Sequence, residues 1–205
     1  PTTGRQYEVG LKVQPAGTET LVTLSAFHLT QRNVLTSDPD PAHPFAQVQT
    51  GAIRTRGLEL DVKATVAPGL TLIGSYALLD AEVTESNDGT EGRTPVYQPR
   101  HMASLWGDYA VPSGSLAGFS AGLGVRHVSQ SYGDAANSFT VPSHTVVDAA
   151  IRYDLGRLSP TLTGATAAVN AANLFDTEYV ADCQNINTCY YGMGRTVFAT
   201  LTYAW

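Results

Sequence analysis

GLELDVKATV, residues 57–66, alternates without a break. Leu58, Leu60, Val62, Ala64 and Val66 share one face, and Glu59, Asp61, Lys63 and Thr65 share the other. A strand sends successive side chains to opposite faces, whereas a helix of about 3.6 residues per turn would scatter both sets around its circumference. The same period recurs along the chain. QYEVGLKV (6–13) sets Tyr7, Val9, Leu11 and Val13 against Gln6, Glu8 and Lys12. FSAGLGVR (119–126) sets Phe119, Ala121, Leu123 and Val125 against Ser120, two glycines and Arg126. HTVVDAAIRYDL (144–155) sets Thr145, Val147, Ala149, Ile151, Tyr153 and Leu155 against Asp148, Arg152 and Asp154. No segment carries an apolar stripe at helical spacing.

About nine such strands are predicted, many of them about ten residues or longer, enough to cross a bilayer and longer than the strands of most globular proteins. Short connections rich in Pro, Gly and Ser (PAGT, APG, PSGSLAG, GRLSPTLTG) alternate with longer ones at Leu35–Thr50, Thr84–Tyr97, Tyr132–Pro142 and Leu174–Gly192. That alternation is the signature of an up-and-down membrane barrel with short periplasmic turns and long outer loops. By parity the first strand runs toward the periplasm and the last ends there. The apolar faces then meet lipid. The polar faces, with Glu59, Asp61, Lys63, Asp108, Arg126, Asp148, Arg152 and Asp154, line a wet interior. Tyr7, Tyr76, Tyr109, Phe119, Tyr153, Tyr203 and Trp205 lie near strand ends, as an interfacial girdle requires. A soluble antiparallel sandwich, its apolar faces buried on each other, is the competing architecture.

Composition narrows the function. Only 15% of residues are charged, against about 25% in ordinary soluble domains, and the net charge is -6. With no basic block, nucleic acid is an unfavourable partner. No run of about 18 apolar residues marks a transmembrane helix. PTTGRQYEVG lacks the apolar core of a signal peptide, so an exported protein would carry that segment upstream. The two cysteines bracket the polar QNINT. They read as a small disulfide loop formed in an oxidising compartment, the alternative being two free buried thiols.

Catalytic motifs are weak. GFSAG (118–122) matches the nucleophile pattern G-x-S-x-G, but a turn precedes it and an alternating strand follows, where that chemistry needs a strand and then a helix. GLG at Gly122 lacks the third glycine of a dinucleotide site. His28, His43, His101, His127 and His144 show no metal spacing, and the acidic run from Asp80 to Asp88 lacks the EF-hand pattern. No catalytic residue, metal ligand or resident cofactor is predicted.

The end of the chain is more specific. NLFDTEYV (173–180), followed by an aromatic strand, resembles the close of a TonB-dependent outer-membrane siderophore receptor. AIRTRGLELDVKA, GSYALLDAEV, PRHMASLWGDY, SYGDAANSF, TVVDAAIRYDL and CQNINTCYYG stand in the matching order. The likeness spans essentially the whole chain. NLFD alone marks only the superfamily, whereas PRHMASLW and the small cysteine loop are characteristic of the hydroxamate, or ferrichrome-type, branch. The resemblance implies an all-β, antiparallel, up-and-down transmembrane barrel of about 22 strands, of which residues 1–205 are the C-terminal nine or so. An N-terminal plug domain, a TonB-contacting segment and earlier strands would lie outside this chain.

The function so implied is TonB-dependent uptake of ferric hydroxamate siderophores across the bacterial outer membrane, with iron carried as a chelate and TonB, outer-membrane lipid and lipopolysaccharide as partners of a monomeric receptor. Ferric citrate, haem or cobalamin are alternative cargoes. A passive porin, a barrel lipase or protease and a soluble binding module are the other classes. The expected ligand-contacting residues are Gln184, Asn185, Tyr190 and Tyr191, on a loop stiffened by a Cys183–Cys189 bridge. Ferrichrome-type receptors carry an aromatic contact just after the first cysteine. This chain has Gln184 there, so a ferrioxamine-type hydroxamate fits equally. Phe45, Tyr97, Tyr132 and Phe139 are read as loop anchors, and Leu201, Tyr203 and Trp205 as the terminal strand recognised during barrel assembly.

Overall fold

A computed structural model describes residues 1–205. The strands are β1 (Thr3–Val13), β2 (Leu21–Ser37), β3 (Gln47–Ala67), β4 (Leu70–Glu85), β5 (His101–Ala110), β6 (Phe119–Val128), β7 (Ser131–Tyr132), β8 (Thr140–Val141), β9 (His144–Asp154), β10 (Ala165–Ala172), β11 (Val180–Asn185), β12 (Thr188–Tyr191) and β13 (Thr196–Tyr203). Nine of them form one antiparallel meander in the order β1-β2-β3-β4-β5-β6-β9-β10-β13. β7–β8 and β11–β12 are separate hairpins inside two of the loops. The sheet is open, with β1 and β13 each paired on one side only.

Register keeps the two faces apart, because a slip of one residue would exchange them. Leu24, Leu60 and Tyr76 stand side by side across β2, β3 and β4 on the apolar face, as do Ala26, Leu58 and Leu78. Ser25, Glu59 and Ala77 occupy the polar face between them. The polar face is not purely polar. The Trp106 ring lies flat over Gly122 and Gly124 of β6, where an added Cβ would stand 2.3 Å from ring atoms at either position. These glycines exist to admit the indole, and the ring in turn covers backbone that glycine leaves bare.

Connections at one end are 14–20, 68–69, 111–118 and 155–164, the last containing two short 3₁₀ turns, Leu155–Arg157 and Pro160–Leu162. At the other end they are 38–46, 86–100, 129–143 and 173–195. The expected long loop at Leu35–Thr50 is therefore mostly strand. Leu35, Thr36 and Ser37 pair with Gln49, Val48 and Gln47, and Thr36 Oγ1 meets Thr50 Oγ1 at 2.9 Å. The polar composition of LTS and QVQ hid strand that only cross-strand pairing reveals. The loops expected at Tyr132–Pro142 and Leu174–Gly192 likewise contain the β7–β8 and β11–β12 hairpins.

β2, β3 and β4 have 17, 21 and 16 residues, more than the roughly 9–11 that span a bilayer. Their surplus lies at the long-loop end. There the apolar face changes character: Ala26 gives way to His28, Leu58 to Arg56 and Leu78 to Asp80.

Candidate functional site

The polar face carries two ion pairs that lead toward the long loops. Arg152 pairs with Asp108 across β6. Arg126 clamps Asp148 in a fork, Nε to Oδ2 at 2.6 Å and Nη2 to Oδ1 at 3.0 Å. Bidentate pairing of this kind fixes orientation as well as charge. Asp148 has a second task, because its Oδ1 accepts the backbone N–H of Asn173 at 2.9 Å.

Asn173 closes the base of the last loop. It is buried and held at φ 50°, a left-handed conformation that Asn tolerates better than most residues. Its side-chain oxygen accepts from Thr177 N at 2.8 Å, and its amide donates to Thr177 O at 2.9 Å and Met193 O at 3.1 Å. One side chain thus ties the outgoing limb of the loop to the returning one. Asp176 adds a second tie, its Oδ1 accepting from Arg195 N at 2.6 Å. NLFD is therefore a structural staple, linked through Asp148 to Arg126 on the wall.

Above the staple stands the β11–β12 hairpin. Cys183 and Cys189 face each other in its ladder and are joined by a disulfide; the alternative of free thiols falls. Cys183 is buried. Gln184 and Asn185 are exposed near the hairpin tip, where Asn185 Oδ1 is engaged by Asn187 N at 2.9 Å. Tyr190 and Tyr191 are exposed on the returning strand. Of the four expected contacts, Tyr191 alone lines a substantial cleft, about 450 Å³ in volume and shared with His144, Thr145, Glu178 and Tyr179.

Tyr179 and His144 were not among the expected ligand contacts. Their rings stack at 4.0 Å between centroids and 21° between planes, and the phenol ring also packs against Gly192. Nothing local in the sequence pairs them, since they are brought together by the meeting of β9 with the last loop.

The remaining loops are tied to one another. Asn137 (φ 54°) gives Thr94 N an acceptor at 2.9 Å and donates to Thr94 O at 2.9 Å, joining loop 129–143 to loop 86–100. Arg93 adds a bond to Ala136 O. Asp134 caps the same turn by accepting from Ser138 N at 2.7 Å, and the Ser138 hydroxyl holds its carboxyl below the ordinary 3.8. Phe139 is an anchor as expected, its ring lying over Gly133. Tyr132 pairs with Thr140 and is half-buried. Phe45 is not an anchor: it is 98% exposed, because loop 38–46 turns on its own Asp38 and Asp40 side chains and offers the ring nothing to pack on. Tyr97 stands at φ 63°. Its phenol is pushed above the ordinary 10.0 by lost hydration, then by the Asp182 carboxylate and Tyr190 of the last loop.

A long-stranded wall with a charged lining, capped by aromatic loops, defines the class: a section of a transmembrane β-barrel. A sequence profile of the TonB dependent receptor-like β-barrel matches residues 1–174, and the chain belongs to that family. It is 45% identical over 203 residues to the ferrichrome outer membrane transporter/phage receptor of Escherichia coli K12, covering 99% of this chain and 26% of the relative. To the ferrioxamine receptor of Yersinia enterocolitica it is 36% identical, covering 99% and 28%. The crystal structure of BauA, the ferric preacinetobactin receptor of Acinetobacter baumannii, superposes with a TM-score of 0.79 at 28% identity, covering 98% of this chain and 29% of that one. The chain spans about a quarter of the length of these relatives. Its wall is an outer-membrane β-barrel wall, and its relatives are transporters and receptors, not enzymes.

Proposed function

We propose that this chain is the C-terminal wall and part of the outer mouth of a receptor that imports ferric hydroxamate siderophores with energy delivered by TonB. The observation that carries the reading is the disulfide-clamped hairpin, stapled at its base by Asn173, in a chain 45% and 36% identical to ferrichrome and ferrioxamine receptors. A ferric hydroxamate offers an apolar shell with polar edges. Tyrosines suit it, because they bury area and hydrogen-bond at the rim. A clamped hairpin lowers the ordering cost of binding.

In this reading Tyr190 and Tyr191 contact the chelate, Gln184 and Asn185 edge it, and Tyr97, Tyr179 and His144 complete the wall. Iron is cargo, held by its siderophore. Two open sheet edges and the quarter-length match to relatives support a larger closed barrel with a plug, TonB contact and earlier strands encoded upstream. Leu201, Tyr203 and Trp205, exposed along the apolar face of β13 and beyond it, serve as the assembly signal. Lipid and lipopolysaccharide surround a monomeric barrel.

The test is uptake of radiolabelled iron by cells expressing the full-length gene, offered as ferrichrome, ferrioxamine, ferric citrate or haem, with and without an uncoupler. Uncoupler-sensitive uptake of a hydroxamate is expected. Uptake of citrate or haem alone would overturn the cargo, and uncoupler-insensitive uptake would overturn the mechanism. Gln184, lacking the aromatic face of the ferrichrome-type pattern, leaves ferrichrome and ferrioxamine as equal candidates, and the uptake assay decides between them.

A further inference from the structure

The last long loop hangs on a carboxylate whose aim is set from the polar face of the wall. Asp148 Oδ1 accepts the backbone N–H of Asn173 at 2.9 Å. The same oxygen accepts Arg126 Nη2 at 3.0 Å, while Oδ2 accepts Arg126 Nε at 2.6 Å. Both oxygens are therefore oriented by one guanidinium, and one of them holds the loop. Beside this bond, Leu174 N donates to Val147 O at 2.7 Å. The attachment is thus two bonds wide, and only the Asp148 bond depends on a side chain. Without the fork, the carboxylate is free to turn toward water and leave the Asn173 N–H without its acceptor.

The two members of the pair differ in what can reach them. The Arg126 side chain is 52% exposed and that of Asp148 only 19%. Arg126 borders an open cleft of about 470 Å³ with Glu59, Asp61, Ser75, Met102 and Ser104. The fork occupies one edge of the guanidinium, and no other group of the chain engages its outer edge. Asp61, Ser75, Ser104 and Arg126 stand opposite one another in a row across β3, β4, β5 and β6. Asp61 is three strand spacings from Arg126, about 14 Å, too far to compete with Asp148. Ser104 is one spacing away, about 4.8 Å. It lies on β5, whereas Asp148 lies on β9, on the other side of β6. A carboxylate at the position of Ser104 would therefore pull the guanidinium away from Asp148.

We propose that Arg126 is a positioning residue for the last outer loop, and that a carboxylate meeting its guanidinium from inside the wall loosens that loop. The element with two states is the guanidinium, forked on Asp148 or drawn toward β5, and the loop is fastened only in the first. The consequence for cargo rests on the proposed role of this loop in holding a ferric hydroxamate: a loosened loop releases the chelate faster.

The experiment uses the full-length receptor in detergent. Amide hydrogen exchange is followed by mass spectrometry in peptides from 174–195, with β6 and β9 as references. Ser104→Asp supplies the competing carboxylate, Ser104→Asn is its neutral control, and Arg126→Gln removes the fork. Ser104→Asp and Arg126→Gln should each speed exchange of the loop about tenfold, with β6 and β9 unchanged and Ser104→Asn matching wild type. In an Asp148→Asn background neither change should add anything, because the relay is already cut. Loop exchange within twofold of wild type in Ser104→Asp would overturn the proposal. So would a further acceleration in the Asp148→Asn background, or equal acceleration of β6 and β9, either of which marks a merely structural role for Arg126. Should Ser104→Asp fail to assemble, Arg126→Gln supplies the same comparison. Release of bound ferrioxamine, measured on the same samples, separates the two readings. About tenfold faster release in Ser104→Asp is expected. Wild-type release from a loosened loop would uphold Arg126 as the loop's positioning residue and overturn the loop as a cargo contact.

Discussion

Replacing Asn173 should unfasten the last loop without unfolding the wall. Its side chain makes three hydrogen bonds, to Thr177 N, Thr177 O and Met193 O. At about 1 kcal/mol net each they contribute roughly 3 kcal/mol. Ala at φ 50° adds a left-handed penalty of about 1 kcal/mol. Asn173→Ala should therefore favour local opening by roughly 4 kcal/mol, a factor of about a thousand. Asn173→Gly removes the bonds but not the backbone fit, so about 3 kcal/mol, or roughly two decades, is expected. The assay is amide hydrogen exchange by mass spectrometry on the full-length receptor in detergent, following peptides from 174–195 against β9 and β10 as internal references. Thr177→Ala keeps both backbone partners and should exchange as wild type does. Exchange of the loop within tenfold of wild type in Asn173→Ala, or equal acceleration of β9, would refute the staple.

Four further outcomes are expected. Cys183→Ser frees the β11–β12 hairpin and forgoes about 2 kcal/mol of loop-closure stabilisation; hydroxamate affinity in equilibrium binding should fall by up to about thirtyfold, while barrel melting stays unchanged. Gly124→Ala drives a methyl into the Trp106 ring, an overpacking cost of about 1–3 kcal/mol that should appear as a lower melting temperature. Acid should loosen loop 129–143. The folded Asp134 carboxyl is held below 3.8, chiefly by the Ser138 hydroxyl, so its contribution is complete above that pH and is lost as pH falls through the folded value; exchange of the loop should quicken only below about pH 4, and Ser138→Ala should weaken that dependence. Asp148→Asn leaves Arg126 with a neutral partner and weakens the acceptor of Asn173 N, so the last loop should exchange at least tenfold faster, a cost of about 1.4 kcal/mol or more.

Charge placement explains why two kinds of basic residue behave differently on one wall. On the polar face, Arg126 pairs with Asp148 of the adjacent strand and Arg152 reaches across β6 to Asp108 of β5. On the other face, past the last apolar residues, Arg54 pairs with Glu82, whereas Arg56 donates to His28. The first arrangement completes itself within the chain.

The sequence by itself determined the strands, their two faces and the family. Side-chain alternation has a period of two, so Leu58 to Val66 declares its faces wherever it lies, and the motifs from AIRTRG to NLFD stand in a fixed order. It also located the cysteine loop, because the bracketing residues and the polar stretch between them are local. What it could not reveal were contacts between residues far apart in the chain. Leu35–Ser37 looked like loop until paired with Gln47–Gln49, and NLFD was a family mark until Asn173 was seen to join Thr177 to Met193 under an Asp148 carboxylate. Phe45 read as an anchor, yet it has nothing to pack on. Stacking of Tyr179 on His144 and the Trp106 ring over two glycines both depend on how the strands are set against one another. Register is set by the summed pairing of whole hairpins, and no short stretch of sequence encodes it.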